Sequence, residues 1–206
     1  MGPGGRTRSG RRRLSGEARR EQILDVTGTI VAKGGFGAVS IQGVAAAAGI
    51  SRPIVYEHFG DLDGLLEALV RREMAAAGDQ VSATELRDLS EGDPTELMLE
   101  SLGLFLGAVE RHPDTWRLVL MPPEGAPANL RKSILRGRAV VLERLAHSVR
   151  AGLRPGGADP PDPELTASIL SAISDEYGRL ILSDPKRYSP ERLLAHARWL
   201  VEHLTT

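Results

Sequence analysis

The polar side chains best suited to contact a nucleic acid lie between residues 40 and 60. Arg52 carries a planar guanidinium that can donate two hydrogen bonds to the O6 and N7 atoms of a guanine, and it directly follows Ser51. Tyr56 stands four residues later, one helical turn away, with a hydroxyl suited to a phosphate oxygen. Gln42, earlier in the chain, could reach a base or a phosphate. This spacing indicates one surface that could contact both the base edges and the phosphate backbone of DNA.

Two short helices joined by a tight turn would position these side chains. Ser40 is predicted to cap the first helix, and Gly49 permits the turn that ends it. Ser51 is predicted to cap the second helix, with Pro53 in its first turn, where the missing N–H loses no intrahelical hydrogen bond. Residues 40–59 therefore have the layout of a helix-turn-helix motif, whose second helix presents its N-terminal residues, here Ser51, Arg52, Pro53 and Ile54, to the major groove.

The charge of the chain is unevenly distributed. The formal net charge is −1, but residues 1–60 hold nine basic and four acidic side chains, and the remainder holds 17 basic and 23 acidic ones. This asymmetry favours a front that approaches phosphates and a body that does not. The alternative is a solvated basic tail beside an ordinary acidic domain. Residues 1–14 are rich in Gly and Arg without apolar periodicity and are predicted to be a disordered basic arm.

Composition excludes several classes of protein. The chain has no cysteine, so disulfides, thiol catalysis and cysteine-ligated metals are excluded. Its five histidines show no metal-ligand spacing, and neither a phosphate-binding GK[ST] nor a GxSxG motif is present. No apolar run approaches the roughly 20 residues that span a bilayer. We therefore predict a cytoplasmic protein that is not an enzyme, needs no cofactor or metal, and does not contact a membrane.

Helical periodicity predicts an all-α protein of 206 residues. Helices are expected over about residues 15–34, 41–48, 52–59, 62–77, 94–110, 114–120, 128–153, 164–183 and 190–204, with loops at 121–127 and 155–163. The predicted organisation is a disordered arm (1–14), a helix-turn-helix domain (15–60), and a ligand-binding and dimerisation domain (61–206).

Several short motifs carry a resemblance to a known family. They are Gly-Gly-Phe at 34–36, Val39-Ser40, Val44-Ala45, Ala48-Gly49-Ile50-Ser51, the run Val55-Tyr56-Glu57-His58-Phe59-Gly60-Asp61, and Leu65-Leu66. Residues 17–70 thereby resemble the N-terminal domain of the TetR family of one-component transcriptional repressors. The resemblance implies that Arg52 and Pro53 contact bases. It also implies that Ser40, Tyr56 and His58 contact phosphates or position the helices, and that Gln42 stands at a position that can contact DNA.

One position departs from the family pattern. The family commonly has a phosphate-contacting lysine three residues after the aromatic that ends the recognition helix, and this chain has Leu62 there, between Asp61 and Asp63. Backbone N–H groups at the start of the fourth helix could bind the phosphate instead. The arm from Arg6 to Arg13 could supply charge by lying in the minor groove, or it could be a solvated tail.

The resemblance implies an all-helical body that binds a ligand and dimerises. The last two helices carry apolar stripes that would form a four-helix bundle with a second subunit or would face the subunit's own core. Candidate ligand-lining residues are Phe105, Trp116, Leu120, Met121, Leu142, Leu145, His147, Ile173 and Tyr177, with Arg117, Glu143, His147, Glu176 and Arg179 as polar groups that could orient the ligand. The apolar majority indicates a hydrophobic or amphipathic small molecule.

The expected function is repression at a palindromic operator, from which the protein is released when the ligand shifts its conformation. The alternative is a DNA-binding regulator or architectural protein without a small-molecule ligand.

Overall fold

The computed structural model describes residues 15–83, 93–122, 125–150 and 162–204. Within these ranges every regular element is a helix, which confirms the all-α prediction. The helices are α1 (Gly16–Gly34), α2 (Ile41–Ala48), α3 (Arg52–Phe59), α4 (Leu62–Ala83), α5 (Pro94–Arg111), α6 (Pro113–Leu120), α7 (Ala128–Arg150), α8 (Pro163–Ser183) and α9 (Pro190–Leu204), with a short 3-10 turn at Phe36–Ala38. The predicted basic arm, residues 1–14, lies outside the described residues.

The main departure from the sequence prediction is the length of α4. This helix continues past Gly78 to Ala83, whereas the sequence indicated an end near residue 77. A glycine inside a helix costs only about 1 kcal/mol relative to alanine. Ala77 is buried in the body and Val81 packs against the same core, so burial on both sides of Gly78 offsets that cost. The predicted end of α7 near 153 and most of the loop at 155–163 lie outside the described residues, although Pro163 already belongs to α8.

The first core joins α1 to α3, here called the reading helices, to the start of the body, which is formed by α4 to α9. Its buried members from α1 to α3 and the intervening turn are Ile23, Leu24, Val31, Phe36, Val39, Val44, Ala45 and Val55. Helix α4 adds Leu65, Leu66, Ala68, Leu69 and Val70, while Leu118 of α6 and Leu130 of α7 complete it. The predicted domain boundary at residue 60 therefore runs through a shared core, and α4 supports both parts.

The second core lies in the body. Leu99, Leu106, Ala108 and Val109 of α5 pack there with Trp116 and Leu120 of α6, Tyr177, Ile181 and Leu182 of α8, and Leu193 and Ala197 of α9. Thus α5 is covered by α8 on one side and α9 on another. In the part of the chain that the structure describes, no helix combines the length and apolar character needed to cross a bilayer.

Candidate functional site

The turn between α2 and α3 is built on one glycine. Gly49 adopts the left-handed conformation (φ 65°, ψ 37°), which costs other residues free energy because of their Cβ atom. Its N–H points to the carbonyls of Ala45 and Ala46, and the N–H of Ile50 donates to the Ala45 oxygen at 3.0 Å. These bonds satisfy carbonyls at the end of α2 and reverse the chain so that α3 leaves at a fixed angle.

Ser40 begins α2 as predicted. Its Oγ accepts a hydrogen bond from the N–H of Gly43 at 3.1 Å, and its backbone is extended. A Cβ atom on Gly43 would stand 3.1 Å from the same Oγ, so the glycine leaves room for the cap. The exposed Ser40 side chain is therefore occupied in capping α2, while Gln42 is exposed on the first turn of the helix.

The structure differs from the prediction at Ser51. Its backbone has the extended geometry of an N-cap, but its hydroxyl makes no capping hydrogen bond. An N-cap oxygen normally accepts from the second or third N–H of the helix. The second residue is Pro53, which has no N–H, and the N–H of Ile54 donates to the Ser51 carbonyl at 3.1 Å instead. The exposed Ser51 hydroxyl is left available to another partner.

The N-terminal half of α3 presents one face to solvent and one to the core. Val55 is fully buried, Ile54 is half-buried, and Arg52, Pro53 and Tyr56 are exposed, with half of the Tyr56 surface accessible. Arg52, Pro53 and Tyr56 thus share the outer face of one helix, whereas Ile54, also predicted to face the DNA, is partly withdrawn from it. The structure therefore brings together Ser51, Arg52, Pro53 and Tyr56 on a single accessible surface.

The C-terminal end of α3 is fixed by α1. Arg20 donates to the carbonyl oxygen of His58 at 2.8 Å, and its guanidinium lies 4.4 Å from the ring centre of Phe59. Phe59 packs against the first core. Gln22 donates to the carbonyl of Ala48 at 3.2 Å and holds the end of α2 similarly. No local sequence pattern marks Arg20 or Gln22 as a positioning residue, because their partners stand 38 and 26 residues away.

The corner between α3 and α4 is unusually tight. Gly60 has a positive φ of 80°, and the Asp61 carboxylate accepts from the N–H of Gly64 at 2.7 Å. A Cβ atom on Gly64 would lie 2.2 Å from the carbonyl oxygen of Phe59. Leu62, at the position where the family commonly has lysine, is half-buried and packs against the first core. Its side chain therefore contributes to packing of the corner and supplies no charge.

Arg72 of α4 connects the reading helices to the body. Its guanidinium donates to Asp25 at 2.8 Å and to Glu21 at 3.1 Å, both on α1, and to the neighbouring Glu73 at 2.8 Å. Burial alone would lower the pKa of Arg72, but the hydrogen bonds to Glu73, Asp25 and Glu21 outweigh it and raise that pKa. Arg72 thus stays fully charged between the two parts of the molecule.

The predicted ligand-lining residues fall into two groups. Phe105, Trp116, Leu120, Ile173 and Tyr177 come together in the second core, where the rings of Phe105 and Trp116 meet edge to face with centroids 5.0 Å apart. The indole N–H of Trp116 donates to Gln80 at 2.8 Å. A Cβ atom on Gly178 would stand 2.5 Å from Leu120, so this cluster is closely packed. Burial raises the pKa of the Tyr177 hydroxyl.

The second group lies apart from that cluster. Met121 follows the end of α6, is 46% exposed, and lines an open cleft of about 580 Å³ between α1, α4 and α6. His147 is exposed because α7 buries Ala146 and Val149 instead. Leu142 and Leu145 are half-buried on α7. The sequence could not separate these groups, because it shows which residues are apolar without showing which neighbours they meet in the fold.

The polar residues expected to orient a ligand are engaged elsewhere or lie on the surface. Arg117 donates to the carbonyl oxygen of Leu182 at 2.9 Å and thereby satisfies a carbonyl at the end of α8. Glu176 and Arg179 pair with each other across one turn of that helix. Glu143 is exposed on α7. None of these four polar side chains is therefore aimed into the aromatic cluster.

The apolar stripes of α8 and α9 divide between inside and outside. Tyr177 and Ile181 of α8 are buried, while Leu165 and Ile169 on the same helix are 57% and 53% exposed. On α9, Trp199 is exposed and stacks between His196 and His203, with centroids 6.1 Å and 4.9 Å away. Each helix therefore packs inward with one face and leaves an apolar face uncovered in the single chain. Among the described residues no group of carboxylates and histidines is arranged to hold a metal ion.

Comparison with known proteins agrees with this geometry. Residues 23–69 match the family model described as bacterial regulatory proteins, tetR family. A relative, the HTH-type transcriptional regulator BetI of Paraburkholderia phymatum, is 44% identical over 55 residues, which cover 27% of this chain and 28% of that protein. The chain thus matches well under half of the length of this curated relative.

The similarity in fold extends through the body. A TetR-like transcriptional regulator from Rhodococcus sp. RHA1 has a TM-score of 0.71 at 24% identity, covering 91% of this chain and 97% of that one. The structure of AibR in complex with isovaleryl coenzyme A and operator DNA has a TM-score of 0.67 at 18% identity, covering 86% and 95%. The match at residues 23–69 thus identifies a tetR-family regulatory domain at the front of this chain, and the described helices of the body share the fold of these solved regulators.

Proposed function

We propose that this protein is a sequence-specific DNA-binding repressor that acts on a palindromic operator. The observation that carries the proposal is the outer face of α3. Ser51, Arg52 and Tyr56 are accessible there together, and the Ser51 hydroxyl has no capping bond to give up. Arg52 would read a guanine edge, and Ser51 and Tyr56 would contact phosphates on either side. Pro53 completes this surface, and the exposed Gln42 on the first turn of α2 would contact a base or a phosphate.

Ser40 and His58 act in this proposal mainly by positioning. Ser40 caps α2 with its side chain, and the backbone of His58 is held by Arg20. Ile54 is half-buried on α3 and in this proposal supports the angle of that helix. Because these contacts fix helices and leave the outer face to other residues, their loss would lower affinity for all DNA sequences more than it would alter base preference.

A homodimer formed through α8 and α9 would place two copies of α3 about one DNA turn apart. The exposed Leu165, Ile169 and Trp199 support this arrangement, since an apolar face of this kind is stabilised when a second copy covers it. Such a dimer explains why the proposed operator is palindromic. Because a regulator must meet its operator DNA inside the cell, the proposal also places the protein in the cytoplasm, as a regulator that performs no catalysis.

Release by a hydrophobic or amphipathic ligand is the regulatory part of the proposal. A fold neighbour was solved with isovaleryl coenzyme A and operator DNA together, which supports a body able to accept a small molecule. The aromatic cluster of Phe105, Trp116 and Tyr177 is the proposed lining, and it would have to open to admit the ligand. Its close packing around Gly178 favours the second candidate, a regulator that responds to a protein partner instead.

The test is binding to the DNA that flanks the protein's own gene, titrated with unlabelled competitor near 150 mM salt, where non-specific phosphate binding is weak. Arg52→Ala should weaken specific binding by about 5- to 150-fold, and the double variant with Tyr56→Phe should weaken it further. Arg131→Ala, which removes an exposed charge on α7, is the matched control. Equal competition by unrelated DNA for the wild type and all variants would refute sequence-specific recognition at this site.

A further inference from the structure

A chain of side-chain contacts joins α6 to α1 through two consecutive residues of α4. The Thr115 hydroxyl of α6 donates to one oxygen of Glu73. The other Glu73 oxygen accepts from Nε and from a terminal nitrogen of Arg72, at 3.1 and 2.8 Å. The remaining terminal nitrogen of Arg72 donates to Asp25 and Glu21 on α1. One uninterrupted polar path therefore runs from the body to the reading helices.

The electrostatics of this path depend on a single cation. Three carboxylates, those of Glu21, Asp25 and Glu73, surround the guanidinium of Arg72. Without it, the carboxylates on α1 and α4 would lose the cation that they share in the described part of the chain and would repel one another. The planar fork of arginine can serve several acceptors at once in fixed directions, whereas the ammonium of a lysine supplies charge without that geometry. Arg72 is 27% exposed and Glu73 is 13% exposed, so water weakens this path only in part.

Apolar packing is interrupted where the path crosses between the helices. The open cleft of about 580 Å³ lies at this junction, and Asp25, Arg72, Glu73 and Thr115 all line it. Polar contacts therefore span a gap that side-chain packing does not fill. Since polar contacts of this kind are directional, they define an orientation more narrowly than loose apolar contact would.

We propose that Arg72 is a positioning residue that fixes the orientation of the DNA-reading helices relative to the body, with Glu73 and Thr115 transmitting the position of α6. The inference rests on the proposed function and names the element by which that function is regulated. A change in the body that displaces α6 moves Thr115, alters the hold on Glu73, and frees Arg72 from its α1 partners. The reading helices then lose their fixed orientation.

The experiment measures that orientation directly in the full-length protein. Because the chain has no cysteine, Ala47→Cys on α2 and Ala139→Cys on α7, both exposed, give two specific sites for spin labels. Labelled chain refolded with a large excess of unlabelled chain reports only distances within one subunit. The distance distribution is compared in the otherwise unchanged protein and in Arg72→Met, Arg72→Lys, Thr115→Val and Thr115→Ser.

We expect Arg72→Met to raise the equilibrium ratio of a second orientation to the original one about tenfold, starting from a minor state of about 0.1–10%. Thr115→Val should produce a smaller rise, Thr115→Ser should restore the original distribution, and Arg72→Lys should fall between methionine and arginine. Arg198→Met is the matched control, because it removes an arginine that pairs with Glu96 between α9 and α5 at a distance from the junction. It should leave the distribution unchanged.

A distribution in Arg72→Met identical to that of the wild type and of Arg198→Met would overturn the inference. If Arg72→Met fails to fold, as judged by circular dichroism, the pair Thr115→Val and Thr115→Ser decides, because serine keeps the donor and valine keeps the shape. Operator binding is measured on the same samples. If the wild type shows no preference for operator DNA over unrelated DNA, the proposed function is refuted. The distances between the two spin labels test the positioning role of Arg72 separately.

Discussion

Gly64 stands where the end of α3 meets the first turn of α4, and we expect Gly64→Ala to destabilise the protein. The added Cβ would lie 2.2 Å from the carbonyl oxygen of Phe59, whereas ordinary contact begins near 3.4 Å. The two helix ends would have to separate by about 1.2 Å, and a backbone carbonyl, unlike a flexible side chain, cannot rotate away. Overpacking of this kind costs about 1–3 kcal/mol. The higher helix propensity of alanine returns up to about 1 kcal/mol.

The net expectation is a loss of about 1–2 kcal/mol in the free energy of unfolding, or roughly 2–8 °C in Tm for a chain of this size. Urea unfolding, followed by far-UV circular dichroism, measures it. Gly78→Ala is the matched control, since it makes the same substitution in the same helix with no atom within 4 Å of the new Cβ. It should stabilise the protein by about 0.5–1 kcal/mol. The reasoning is refuted if Gly64→Ala is as stable as Gly78→Ala.

Three further outcomes follow from caps and ion pairs. Ser40→Ala should lower stability by about 1 kcal/mol because it removes the cap of α2, and a loss near zero would contradict that role. Ser51→Ala should change stability by less than about 0.5 kcal/mol while weakening specific DNA binding, because its hydroxyl caps nothing. The hydrogen bond from Arg198 lowers the pKa of Glu96 in the folded protein, so this pair stabilises the fold above the unfolded-state pKa of about 4.3, and that contribution is lost as pH falls through the lowered value. The difference in urea midpoint between wild type and Glu96→Gln should therefore shrink between neutral and strongly acidic pH; a constant difference would exclude the ion pair as its source.

The sequence alone determined the parts of this protein that depend on neighbours within a few residues. Gly49 required a left-handed turn because it lacks a Cβ, and Ser40 marked a helix start because its hydroxyl can reach the N–H three residues on. At Ser51 the predicted capping bond was wrong, although its cause is also local: Pro53 offers no N–H, and the N–H of Ile54 donates to the Ser51 carbonyl. Periodic apolar residues fixed the helical class of the chain for the same reason: each turn of a helix repeats within four residues.

The tertiary structure decided everything that depends on partners distant in the chain. Arg72 meets Glu21 and Asp25 across 51 and 47 residues, and no local pattern distinguishes it from an ordinary solvated arginine. Burial of Ala77 carried α4 through Gly78, where propensity alone indicated an end. Trp116 and Met121 were both candidate ligand-lining residues because their side chains are apolar, yet only the packing of α5, α6 and α8 decided that one is buried and the other exposed. The sequence determines side-chain chemistry and short-range geometry. Which of several chemically equivalent side chains become partners is determined only by how the helices pack together.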